Sequence, residues 1–176
     1  MIDTVTVGQP SAVISTMSST IVSCFGGSDG TATVSPSGGT PGYTYSWNTT
    51  PIQTTQIATG LSIGTYIVVI TDANNCIGQD TVTITQESEM SASSTSTLVS
   101  CSGGTDGTAT VTGAGGVGGY TYNWNTTPFQ TTQTAVNLSA TTYFVTVTDA
   151  NSCTVIDTVT VSTNNPIILS GSSVNA

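Results

Sequence analysis

The chain has 176 residues, nine carboxylates and no Lys, Arg or His, which gives a formal charge of −9. Only 5% of residues are charged, against about one quarter in an ordinary globular chain, so the charge reflects missing bases rather than abundant acids. Without Lys or Arg, nucleic acid is excluded as a partner and a polybasic contact with anionic lipid is impossible. Without His or Lys, there is no imidazole base, no Schiff-base amine and no His-containing zinc site.

The opening residues, MIDTVTVGQP, carry neither a basic segment nor a long apolar stretch, so no signal peptide is expected there. No run of 18 apolar residues occurs anywhere, so no membrane span is expected. Residues 1–10 match residues 80–86 and 157–163, through DTVTV at Asp3, DTVTI at Asp80 and DTVTV at Asp157. The last two lie 77 residues apart, and so do the two copies of DGTATV, at Asp29 and Asp106. YTYSWNTTPIQTTQ from Tyr43 returns as YTYNWNTTPFQTTQ from Tyr120, again 77 residues later. The chain is therefore read as a tandem array. Residues 1–10 form the last strand of a preceding repeat, 11–87 and 88–164 two whole repeats, and 165–176 the first strand of a following one.

Within each repeat, runs rich in Val, Ile, Thr and Tyr predict strands at residues 31–34, 43–47, 65–71 and 81–84. Several alternate with period two, so Tyr43, Tyr45 and Trp47 share a face. Clusters such as GGSDG, PSGGTPG and DANN separate the runs, and no segment has helical periodicity. Six or seven short strands in 77 residues predict an all-β fold, a tandem immunoglobulin-like β-sandwich. A hydrophobic content of 36% suffices only for small cores, so disulfides and end-to-end stacking are expected to support each unit.

The four cysteines fall two per repeat. Repeat symmetry favours Cys24–Cys76 with Cys101–Cys153. Counting four antiparallel strands between the members of each pair brings them to one end of the sandwich. The competing pairing, Cys76–Cys101, would join one unit to the next. Disulfides of either kind place the chain outside the cytosol.

A Cys, then Gly and DG before a strand, then GG-x-P-x-YTYxW, then L-x-x-GTY-x-V-x-VTDAN-x-C resembles the SprB-type repeat of giant surface adhesins of gliding Bacteroidetes. The residues are Cys24, Gly26, Asp29, Gly30, Gly38, Gly39, Pro41, Tyr43, Tyr45, Trp47, Leu61, Gly64, Thr65, Tyr66, Asp72, Ala73, Asn74 and Cys76. The second repeat departs in carrying Gly119 before Tyr120, and Ala140 and Thr141 in place of Ile63 and Gly64. The resemblance implies an extracellular adhesive or filamentous array and no enzyme.

The DTV triplets also resemble the Bacteroidetes O-glycosylation acceptor, which would place sugar on Thr4, Thr81 and Thr158. Thr is equally an ordinary outward strand residue. Asn48, Asn125 and Asn137 sit in N-glycosylation sequons, whose machinery bacteria usually lack. Asp29, Asp72, Asp106 and Asp149 lie in turns where calcium could bind, although Asp is also an ordinary turn residue. Tyr43, Tyr45 and Trp47 could stack on a sugar but read better as core. The acids recur singly in each repeat, unlike the paired carboxylates of a glycosidase. No cofactor is expected. The expected function is structural: a repeat unit of an extracellular fibre or surface stalk whose partners are copies of itself, adjacent repeats or cell-surface glycans. The alternatives are a glycan- or partner-binding module and the accessory stalk of a secreted enzyme.

Overall fold

The alternation of apolar and hydroxyl side chains becomes strand throughout the computed structural model, which describes residues 2–5 and 8–164. The chain forms two compact units, Met1–Glu87 and Ser88–Ala176. The first contains β1 (Ile14–Thr20), β2 (Gly30–Ser37), β3 (Thr44–Trp47), β4 (Ile57–Leu61), β5 (Gly64–Thr71) and β6 (Ile77–Ile84). The second repeats this series as β7 (Ser91–Ser96), β8 (Gly107–Ala114), β9 (Thr121–Trp124), β10 (Thr134–Leu138), β11 (Thr142–Thr148) and β12 (Thr154–Thr160). Residues 2–5 and 8–10 are not in a strand, and the strand expected at 165–176 lies outside the described residues.

Each unit is a pair of antiparallel three-stranded sheets, ordered β1-β2-β4 and β3-β5-β6 in the first and β7-β8-β10 and β9-β11-β12 in the second. This is the immunoglobulin arrangement with one edge strand missing. Two further features belong to it. The chain after β1 pairs parallel with the end of the unit, Val22 with Gln86. The Tyr66 hydroxyl donates back to the Ser62 carbonyl at 3.1 Å, as Tyr143 does to Ser139 at 3.2 Å, which is a tyrosine corner.

The cores follow from the period of two. On β2, Ala32 and Val34 point inward; on β5, Val68 and Ile70 do; Trp47 joins them from β3. Trp124, Val111, Val145 and Val147 repeat this in the second unit. Trp47 is 1% exposed and its indole N–H donates to the Thr55 carbonyl at 2.9 Å, so the one polar atom of the largest core residue is satisfied.

Each unit has two poles. At one, Ile14 pairs with Ser37 and Thr71 with Ile77, and the chain enters there. At the other, Thr20 pairs with Thr31, Gly30 with Leu61 and Gly64 with Ile84, and the chain leaves there. Cys76 follows β5 at the incoming pole. Cys24 lies between β1 and β2 at the outgoing pole. The eight residues of β5 separate the two by roughly 20 Å, while a disulfide spans about 6 Å between Cα atoms.

The intra-unit pairs Cys24–Cys76 and Cys101–Cys153 are therefore not formed. Cys76 and Cys101 are free and exposed, so the competing Cys76–Cys101 link is absent too. Cys24 and Cys153 are disulfide-bonded. The strand count misled because residues 48–56 make an extra pass. After Trp47 the chain turns back, with Trp47 N–H donating to Gln53 O at 3.0 Å, and reaches the second sheet where Val34 N–H donates to Gln56 O at 3.2 Å. β3 and β4 consequently run the same way.

Candidate functional site

The incoming pole is built around one carboxylate. Asp72 is 4% exposed. Its Oδ2 accepts the Thr40 N–H at 2.8 Å, and its Oδ1 accepts those of Asn74 and Cys76 at 2.9 and 2.7 Å. Asn75 then takes a left-handed φ of 63° to close the turn. Asp149 does the same with Val117, Asn151 and Cys153, each at 2.9 Å. The backbone N–H of Thr40 beside Asp72, and that of Val117 beside Asp149, hold both carboxyls below the ordinary value, against the opposing effect of burial. These groups are anionic hubs that fix the turn, with their acceptor oxygens occupied by backbone N–H groups.

At the outgoing pole Asp29 accepts the Ser23 hydroxyl and, at 3.0 Å, the Ser23 N–H; Asp106 accepts the Ser100 N–H at 3.0 Å. The serine hydroxyl is the main cause that lowers each of these two pKa values. Asp29 and Asp72 thus stand at opposite poles, as do Asp106 and Asp149. The calcium reading required convergence, and among the described residues no three ligand-type side chains come together.

On the outer strand the DTV triplet divides its work. Asp80 accepts the Ser15 hydroxyl at 2.8 Å and Asp157 that of Ser94 at 2.7 Å. Each such bond ties the edge strand of one sheet to that of the other. This closing role of Asp80 and Asp157 was missed in the sequence, where only the spacing of Ser15 and Asp80 within the repeat could have hinted at it. Thr4, Thr81 and Thr158 are exposed. The sequon asparagines have local roles: Asn48 Oδ1 accepts the Ile67 N–H and Asn125 Oδ1 the Phe144 N–H, both at 2.8 Å. Asn137 is exposed at a φ of 56°.

Tyr43 and Tyr45 are half-buried and pack on the core that contains Trp47, so the three aromatics do not make a flat sugar platform. A groove of about 420 Å³ in the second unit is lined by Asn125, Thr126, Gln130, Asn137, Ser139 and Tyr143 among others. No acid or base lines it, and its Asn125, Gln130 and Tyr143 polar atoms already bond to backbone.

The fold and its two hubs define a tandem Ig-like β-sandwich module. The family model for the SprB repeat matches residues 16–51 and 93–129, one segment in each unit, and bears out the resemblance read from the motifs. No curated protein matches the sequence. Among solved structures, the N-terminal four Ig domains of Dscam1 isoform 8.4 are 13% identical at a TM-score of 0.36, over 76% of this chain and 40% of that one. A structure described as the basis for Dscam isoform specificity is 13% identical at 0.37, over 89% and 47%. The DIP-gamma IG1+IG2 structure is 9% identical at 0.34, over 84% and 93%. The chain thus spans less than half the length of the two Dscam structures.

Proposed function

We propose that this chain is a structural segment of an extracellular surface fibre or adhesive stalk, built from end-to-end β-sandwich modules and glycosylated on Thr4, Thr81 and Thr158. The observation that carries the reading is the polarity of each unit, which the chain enters at one pole and leaves at the opposite one. Such a unit can be added repeatedly along a line. The SprB-repeat match supports a surface role. The exposed threonines, each directly after an aspartate, support the modification; the carboxylates of Asp80 and Asp157 are engaged by serine hydroxyls. The module is read as non-catalytic, since its turn carboxylates are filled by backbone and hydroxyl donors and it has no side-chain base of another kind.

Electron microscopy of the native material, with intact-mass analysis, tests this. Fibres with an axial repeat of roughly 30–40 Å, as eight-residue strands plus turns would give, and excess mass that is lost in a T4A/T81A/T158A variant are the expected results. A dispersed globular particle would overturn the fibre, and an unmodified mass would overturn the glycosylation.

A further inference from the structure

The groove in the second unit has fixed walls. On one side is the turn that follows β9, locked by the buried Thr126, whose hydroxyl donates to the Pro128 carbonyl at 2.8 Å. On the other are the end of β10 and the start of β11. The Gln130 side-chain amide joins the two by bonding both the N–H and the carbonyl of Val136, and Asn125 ties the turn to the Phe144 N–H of β11. These bonds shape a cavity of about 420 Å³, in the lower part of the range of small-ligand sites.

The lining is of two kinds. Pro128, Leu138 and the ring of Tyr143 supply an apolar patch, and Thr105, Thr127 and Asn137 supply two hydroxyls and a primary amide. These three polar residues are exposed, and among the described residues their side chains have no hydrogen-bond partner. Asn137 stands at a φ of 56°, where the first unit has Gly60 at 68°. Glycine suits that conformation better, yet the second unit carries an amide there. No charged side chain lines the groove, and a net charge of −9 with no base disfavours an anion. The ligand that fits is uncharged, has an apolar face and carries several groups that both donate and accept. A pyranose meets all of these conditions: its ring C–H groups cover the apolar patch while its hydroxyls exchange hydrogen bonds with the amide and the threonines.

We propose that the second unit binds one uncharged pyranose residue of a glycan in this groove, with Asn137 as the principal polar contact and Thr105 and Thr127 beside it. The site lies within a single unit and needs no fibre.

The test is NMR of the isotope-labelled full chain, titrated with the methyl glycosides of glucose, galactose, mannose and N-acetylglucosamine, and with glucuronate. At least one neutral glycoside should shift the Asn137 side-chain amide and the Thr127 backbone amide saturably. The Kd should be roughly millimolar, as for one small ligand in an open groove. Glucuronate should leave both signals in place, and the equivalent Thr50 and Gly60 amides should not respond. N137G gives the second unit the residue that the first already accommodates at this backbone conformation. N137G and T127V should each weaken the binding by about two- to tenfold. Absence of saturable shifts with all the neutral glycosides would overturn the proposal. So would glucuronate binding as tightly as they do, an equal response at Gly60, or unchanged affinity in either variant.

Discussion

Asp72 and Asp149 make the acid stability of the protein predictable in sign. Their folded-state pKa values lie below the ordinary 3.8 because backbone N–H groups bind the anion. The unfolded chain therefore takes up protons first as pH falls. The stabilisation is complete above 3.8 and is lost as pH drops through the folded values. Asp29 and Asp106, also lowered, act in the same direction. A melting-temperature series from pH 6 to pH 2 should show a fall concentrated below about pH 4, and D72N/D149N should flatten it while lowering the plateau. The same turns offer a second prediction. Asn75 and Ser152 both adopt positive φ, 63° and 68°, a region that Asn tolerates better than Ser. S152N should raise stability by about 0.5–1 kcal/mol and N75S should lower it by a similar amount, as read by denaturant unfolding. The sequence showed DANN and DANS as turns; which donors the aspartate gathers, from a loop 32 residues earlier in the chain, was hidden in it.

At the scale of elements, β4 and β10 are edge strands, and each carries a clip. Gln53 donates to the Thr59 carbonyl and accepts the Thr59 N–H, both at 2.9 Å. Gln130 makes the same two bonds with Val136, at 2.9 and 2.8 Å. The side-chain amide occupies edge groups that would otherwise be open to another strand. Q53A/Q130A should cost about 1–2 kcal/mol per unit and should raise the rate of aggregation measured by light scattering. Gly38, at a φ of +73°, runs so close to β1's approach that an added Cβ would collide with the Ala12 carbonyl. G38A should therefore destabilise the first unit by about 2–3 kcal/mol, seen as an earlier unfolding transition. The strands themselves were legible, because alternation reports burial directly. The pass through residues 48–56 was not, because it has no period of its own and is held by bonds to the neighbouring Trp47 and to Val34, 22 residues before Gln56. The predicted cysteine pairing failed there.

For the whole molecule, a charge of −9 with no basic side chain means that no carboxylate has a side-chain cation to pair with. Added salt can only screen repulsion; there is no side-chain ion pair for it to weaken. Stability should therefore rise with salt, and association should increase with salt and as pH approaches the isoelectric point of about 4.1, as sedimentation velocity would show. A fall in stability on adding 0.5 M NaCl would contradict this. The sequence by itself determined the β character, the repeat and its period, the buried aromatics and the exclusion of basic chemistry, since these depend on residue type and local spacing alone. Only the tertiary structure decided which pole each cysteine occupies, what each turn aspartate binds and how Ser15 and Asp80 close the two sheets. Those facts depend on strand direction and on contacts between residues dozens of positions apart, and one irregular pass reverses the direction without leaving a periodic trace.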